Sequence, residues 1–326
     1  MIQAEHRFVY VAEKWCKELD EAAELGGLSY NTVRTYRGSL KNWVLPALGN
    51  LQMREVTVTA CDKLAKRALA QASYDTAKTV KAVMNGVCAY AVRHDAILIN
   101  PVQSVGRLTR GGSKEVLALD RDQRKDLLSK LRDYGPTRQN DASGRSLGVR
   151  GQVWLDLPDI MEAMLSTGVR LGELLALHSP EVDPQAATVN VNHRLIRITG
   201  QGLVRQPHRK SSRTGLLLKV PQWSIPMWSS RKLASDNGPL FHSFTGEHLD
   251  PANVINRISE AMNAVGYGWV TSHVFRKTVG TVLDEAGLST TAIADQLGNT
   301  RAVAERHYRR PRAANQANAD ALEDMM

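Results

Sequence analysis

The sequence predicts a mainly α-helical, two-domain protein with a small antiparallel β-sheet in its second domain. Three observations carry that prediction. Apolar residues recur at helical spacing through most of the chain, alternating runs are confined to 187–220, and a basic Gly-Gly stretch at 107–114 interrupts the helical pattern. At 326 residues the chain is long enough for two separate cores.

The first domain is expected over 1–108. Phe8, Val9, Val11, Ala12, Trp15, Cys16 and Leu19 form one helical stripe, which Gly26-Gly27 ends. Ser29 is placed to cap a second helix running to Pro46, and Thr57 or Thr59 opens a third. Ser73 caps a fourth, with Ala77, Val80, Val83, Met84, Val87, Cys88 and Ala91 spaced for burial before Asn100-Pro101 closes the unit. This describes a bundle of four or five helices. Residues 109–118 break the period around Gly111-Gly112 and are expected to form a basic inter-domain linker.

The second domain is expected over 119–312, followed by a tail at 313–326. Asp120 caps a helix to Tyr134, residues 138–150 read as a loop, and Val153–Leu165 is an apolar helix that runs into Thr167-Gly168. Strands follow at Ala187–Val191 and His193–Ile198, with Gly200-Gln201-Gly202 as a hairpin signal and a third apolar strand at Leu216–Val220. These are expected to form one sheet with Lys210 near a turn. Helices are predicted over Ser224–Leu233, over Leu249–Val265 with Pro251 in the first turn, from a cap at Ser272, and from a cap at Ser289.

The formal net charge is +9, which favours a polyanionic partner, nucleic acid first and an acidic membrane surface second. Arg194 through Arg213 contains no acidic residue, so no neighbouring carboxylate neutralises that ribbon. Arg34, Arg37, Lys41, Lys78 and Lys81 in the first domain, Arg107 and Arg110 beside the linker, and Arg209 and Arg213 in the ribbon are the candidate DNA contacts. In the first domain the alternative is a mixed solvated surface, because Glu13, Glu18, Asp20, Glu21 and Glu24 crowd the opening helix. The three cysteines, Cys16, Cys61 and Cys88, have no metal or redox spacing and read as small core residues in a reducing compartment. No apolar run approaches the ~18 residues of a membrane span and no signal segment opens the chain, so a soluble intracellular protein is expected.

Near the C-terminus Tyr308 stands among Arg301, Arg306, His307, Arg309 and Arg310. Neighbouring cations favour a phenolate, and a tyrosinate in an anion-binding site can attack a phosphodiester. The alternative is a ring that simply packs. Upstream lie Thr167-Gly168-Val169-Arg170-Leu171-Gly172-Glu173, then Lys210 before a strand, His273-Val274-Phe275-Arg276, and Leu297-Gly298-Asn299. His273 and Arg276 are one turn apart and share a helix face.

Taken in this order with Tyr308, these motifs resemble the tyrosine recombinase family, and within it the phage-type integrases. The resemblance implies a helical core-binding domain followed by a mixed α/β catalytic domain. The chain starts almost at its first core helix, resembling the short type that lacks an arm-binding domain. It also implies site roles. Arg170 and Arg276 match the two phosphate-clamping arginines, Tyr308 the nucleophile, Lys210 the general acid for the leaving 5′-oxygen, and His273 a phosphate ligand or proton acceptor, with Glu173 in support. Asn299 completes the implied catalytic set but departs from the family pattern, which usually has histidine and sometimes tryptophan there. An asparagine can still donate a hydrogen bond to a phosphate oxygen, though its side chain is shorter and cannot be charged.

The implied activity is site-specific recombination, integrating or excising phage or mobile-element DNA through a 3′-phosphotyrosine. The bond energy is kept in the covalent intermediate, so no cofactor or metal is expected. Implied partners are double-stranded core sites, further copies forming a homotetramer on DNA, and an accessory or directionality factor. The expected location is the cytoplasm of a bacterial host. In relatives the tail docks on a neighbouring protomer, and a frayed end is the alternative for 313–326. Two competing readings are a type IB topoisomerase, which relaxes supercoils alone, and a DNA-binding regulator without catalysis.

Overall fold

The computed structural model describes residues 1–111, 117–140, 143–198, 200–207 and 215–308; the side chains of Val149, Arg306, His307 and Tyr308 lie outside that description. The chain divides into two compact units, Met1–Lys114 and Glu115–Met326. Among the described residues no helix is long and apolar enough to cross a membrane.

The first unit is helical. Helices α1 (Phe8–Glu24), α2 (Tyr30–Ser39), α3 (Leu45–Leu48), α4 (Val58–Gln71) and α5 (Tyr74–Arg93) enclose a core that includes Phe8, Val11, Trp15, Leu64, Val83 and Met84. The caps follow from the sequence, because each is a contact three residues long. Ser29 accepts from the Thr32 nitrogen, Thr57 from that of Ala60 and Ser73 from that of Thr76. Thr57, not Thr59, therefore opens α4.

The predicted second helix is not continuous. A π-helical turn, Leu40–Val44, joins α2 to α3. Pro46 lacks an N–H and cannot continue the regular ladder, and the wider turn lets the Leu45 nitrogen reach the Leu40 carbonyl instead. Gly86 permits α1 and α5 to approach, since a Cβ there would meet Trp15 Cζ2 at 2.4 Å. The three cysteines are buried and unbridged; burial pushes the Cys61 thiol up to about 11 and the Cys88 thiol up to about 12.

The second unit opens with α6 (Arg121–Thr137), which Asp120 and Gln123 close in a capping box. It packs on α7 (Gln152–Thr167) and places Leu127 and Leu131 in a core with Trp154, Ile160 and Phe275. Arg138 and Arg257 both lie against the Trp154 ring, at 5.1 and 4.8 Å from its centroid. After α7 comes a single turn, α8 (Leu171–Leu174).

Among the described residues the strands form two sheets rather than one. Strands β1 (Val182–Asp183), β2 (Thr188–Val191) and β5 (Leu216–Lys219) make a three-stranded antiparallel sheet in the order β1-β2-β5. Strands β3 (His193–Ile198) and β4 (Gly202–Pro207) form a separate antiparallel ribbon, with His193 opposite Pro207 and Ile198 opposite Gly202. Glu181 holds the open end of this ribbon. Its carboxylate accepts from Arg205 at 2.7 Å, lies 3.1 Å from His193 Nδ1, and accepts from the His178 nitrogen at 2.9 Å.

Helices α9 (Ile225–Ala234), α10 (Pro251–Ala264), α11 (Ser272–Glu285), α12 (Thr290–Leu297) and α13 (Arg301–Tyr308) complete the unit. Thr271, not Ser272, is the N-cap residue of α11, so the predicted cap shifts by one position while His273 and Arg276 keep their spacing. Val279, Ile293, Ala294, Leu297 and Ala304 form a small cluster that ties α11, α12 and α13 together.

Candidate active site

The site is built where α7 ends. Gly168 terminates that helix in the left-handed region, at φ +74°. A Cβ there would also meet Leu297 Cδ2 at 2.6 Å and Val279 Cγ1 at 3.0 Å, so both conformation and space require glycine. The turn frees the Gly168 carbonyl and places Arg170 at the N-cap of α8.

Arg170 is oriented by Glu173, one turn on. The Glu173 carboxylate, only 2% exposed, accepts from Arg170 Nη1 at 3.1 Å and from the Arg170 backbone nitrogen at 3.1 Å. Arg170 itself remains partly open to solvent. A buried carboxylate bound to one face of a guanidinium fixes its plane and presents the remaining edge outward.

Arg276 projects from the first turns of α11 and is 3% exposed. It donates from Nη1 to the Gly168 carbonyl at 2.8 Å and from Nη2 to the Leu297 carbonyl at 2.7 Å. Both acceptors are carbonyls at helix ends, where no intrahelical donor reaches them and negative partial charge collects. The guanidinium is thereby seated between the ends of α7 and α12.

Gly298 ends α12, also in the left-handed region, and the Asn299 nitrogen returns to the Ala294 carbonyl at 2.9 Å. This aims the Asn299 side chain inward. Its Oδ1 accepts from Arg170 Nη2 at 3.0 Å and from Arg276 Nη2 at 2.7 Å. Gln296 adds a bond from Nε2 to the Thr167 carbonyl at 3.0 Å, tying α12 to the same turn.

Four of the predicted site residues, Arg170, Glu173, Arg276 and Asn299, are thus joined in one hydrogen-bonded cluster. His273 is exposed, one turn before Arg276 on α11. Tyr308 is the last residue of α13. Lys210, Arg209 and Arg213 lie outside the described residues, as do 112–116 of the expected linker and all of the 313–326 tail.

Arg194, on β3, was not singled out by the motifs. It donates to Gln206 Oε1 across the ribbon from Nε at 3.1 Å and from Nη2 at 2.7 Å. Burial pulls its guanidinium below the ordinary arginine value; the Glu173 charge opposes this and the Arg170 charge adds to it. Arg194 therefore lies within electrostatic reach of Arg170 and Glu173. Its only sequence signal was its place at the head of the acid-free run.

The nine candidate DNA contacts divide differently. Arg34, Lys41, Lys78 and Arg107 are exposed on the first unit. Arg37 is paired with Asp20 and also reaches the Cys16 carbonyl. Lys81 donates to the carbonyls of Val105 and Gly106 at 2.8 and 3.1 Å, and Arg110 lies over the Tyr74 ring near Asp75. These three side chains hold their own unit together, whatever else they do.

Comparison with known proteins adds an independent line. Residues 119–315 match the Phage integrase family, and residues 8–107 match the Phage integrase central domain. An integrase of Staphylococcus phage L54a is 26% identical over 157 residues, a match that spans 43% of this chain and 43% of that relative. The chain therefore spans under half the length of that curated relative.

Among solved structures, the Tn1549 transposon integrase in complex with a circular intermediate DNA shares the fold. Its TM-score is 0.74 at 17% identity, over 98% of this chain and 99% of that one. A lambda integrase tetramer bound to a Holliday junction gives 0.58 at 15% identity, over 88% and 77%. With the family match covering more than half of the sequence, the chain belongs to the phage integrase family of tyrosine recombinases.

Proposed function

We propose that this protein is a site-specific DNA recombinase, an integrase that cuts and rejoins duplex DNA at core sites through a 3′-phosphotyrosine on Tyr308. The observation that carries the reading is the convergence of two guanidiniums on one oxygen, Asn299 Oδ1, at 3.0 and 2.7 Å. Two planar cations aimed at one point suit the non-bridging oxygens of a phosphodiester, whose negative charge grows as it is attacked.

In this reading the Tyr308 oxygen forms a bond to phosphorus while the bond to the 5′-oxygen breaks. Lys210 supplies the proton that the leaving 5′-oxygen takes up, and His273 accepts the phenolic proton or binds the phosphate. Arg170 and Arg276 hold the phosphate, with Glu173 orienting Arg170. The released 5′-hydroxyl of a partner strand then reverses the step in a new pairing, so the ester bond is conserved throughout. Strand exchange requires paired sites, which favours a homotetramer on DNA. The integrases of phages and a transposon to which this chain is similar support a role in moving phage or mobile-element DNA. Action on the chromosome in a bacterial cytoplasm, with an accessory factor setting direction, belongs to the same proposal.

A nicked suicide duplex carrying the core site tests this directly. Wild-type protein should become covalently attached to DNA, and Tyr308→Phe should bind the duplex without forming the adduct. Binding without an adduct in the wild type would replace this reading with a DNA-binding regulator. Relaxation of supercoiled plasmid lacking any core site would replace it with a topoisomerase.

A further inference from the structure

We propose that Asn299 is a positioning residue that sets the spacing of the two clamp arginines through its side-chain carbonyl. The inference rests on the recombinase reading above and assigns this side chain a task within that site.

The amide orientation is settled by its neighbours. Both contacts come from arginine nitrogens, Nη2 of Arg170 at 3.0 Å and Nη2 of Arg276 at 2.7 Å. A guanidinium only donates, so the group facing the pair has to be the amide oxygen, whose two lone pairs serve the two donors. The Nδ2 group would set donor against donor.

The oxygen is mounted on fixed backbone. Gly298 is left-handed and the Asn299 nitrogen closes onto Ala294 O at 2.9 Å. The arginines are each held from the opposite side, Arg170 by buried Glu173 and Arg276 by the Gly168 and Leu297 carbonyls. With those anchors behind them and one shared acceptor between them, the two guanidiniums have little freedom to part.

The chemistry of the acceptor also matters. Two adjacent cations repel; a shared oxygen offsets that repulsion, and it leaves their charge intact for the phosphate only if it is itself neutral. A carboxylate would accept both bonds but cancel charge. A neutral imidazole presents one lone pair and could serve one arginine. An amide carbonyl is neutral and serves both. Arg276 Nη2 uses its two hydrogens on Leu297 O and Asn299 Oδ1, so phosphate binding falls to other N–H groups of the fork.

Two measurements decide the matter. The first is a double-mutant cycle on single-turnover adduct formation with a nicked suicide duplex. Asn299→Ala should bind the duplex as tightly as wild type yet cleave about 10–100-fold more slowly, the usual result of misplacing a reacting group by about 1 Å. In an Arg276→Lys background the same change should cost several-fold less than in the wild type, because only Arg170 is then left for Asn299 to position. Losses that simply add would overturn the inference and make Asn299 an independent phosphate ligand.

The second measurement needs no activity. Nitrogen-resolved NMR of the free protein should show Nη2–H signals of Arg170 and Arg276 that shift in Asn299→Ala and hold their positions far better in Asn299→Asp, which keeps the acceptor. Signals unchanged in Asn299→Ala would also overturn it. A wild type that forms no adduct would count against the recombinase reading alone, with the NMR comparison still testing the bridge.

Discussion

Glu173 grips Arg170 at two points, its Oε1 at 3.1 Å from the guanidinium Nη1 and its Oε2 at 3.1 Å from the backbone nitrogen. One carboxylate therefore caps α8 and orients the arginine that sits at that cap. Glu173→Ala removes both contacts at once. Hydrogen bonds to a charged group are worth roughly 1.5–3 kcal/mol, so cleavage of a suicide duplex should fall by on the order of 10–100-fold. Duplex affinity, dominated by the many other cations, should change little. An equal loss of binding and cleavage would show that Glu173 serves the fold rather than Arg170.

Gly168→Ala should be more damaging than its size implies. The backbone is left-handed, and the new methyl would sit 2.6 Å from Leu297 Cδ2. Strain of about 1–3 kcal/mol in the backbone and a similar cost of overpacking combine. The thermal midpoint should drop by several degrees, and the Arg276 bond to the Gly168 carbonyl should weaken with it. A midpoint equal to wild type would mean that α12 can shift outward freely.

Stability should depend on pH through His178 and His248, whose Nε2 atoms lie 3.1 Å apart. A bond between two ring nitrogens needs one proton, held by one ring and accepted by the other, so the bond is lost when both rings are protonated. Burial holds both below the ordinary histidine value; for His178 the Arg205 charge adds most to this, and for His248 its ring partner. Glu181 opposes the shift at both rings and Glu247 at His248, while His193 adds to it at His178. Folded values lower than unfolded ones mean that the contribution is complete above about pH 6.5 and is lost progressively as pH falls below that value through the lower folded ones. Chemical denaturation should therefore show falling stability from pH 7.5 to 5.5, with a shallower slope in His248→Gln. An identical slope in that variant would exclude the pair as its source.

The buried network behind α7 should be sensitive to its anions. Arg231 is 17% exposed and is bound by Asp156 from Nη1 and Asp159 from Nε, each at 2.7 Å. Asp156→Ala leaves a guanidinium without its more buried partner and should cost about 3 kcal/mol in chemical denaturation. Replacing both residues, Asp156→Leu with Arg231→Met, should recover most of that loss. Failure to recover would indicate that Asp159 cannot tolerate an apolar neighbour.

The helical units were readable because their signals are local. Ser29, Ser73, Asp120 and Ser289 each cap within three residues, and the apolar stripes of α1 and α5 lie on single helix faces. Sheet membership was not readable. Alternation marks a strand without naming its partner, and β2 passes over the intervening ribbon to pair with β5. The same limit applied to charge. Composition counted Arg37, Lys81 and Arg110 as available cations, while the fold had given them Asp20, two carbonyls and Asp75. The motifs named Arg170, Arg276 and Asn299 individually; the oxygen they share joins positions 129 residues apart, which no spacing rule reveals.

The seat of Arg276 has a consequence in time. Its two carbonyl acceptors come from Gly168 and Leu297, one well before it in the chain and one after it. A growing polypeptide whose Arg276 has just left the ribosome has neither α12 nor Asn299 with which to complete that seat. The two-carbonyl seat of Arg276 therefore closes only after Leu297 has been synthesised, so this guanidinium waits for a partner at the end of the next helix.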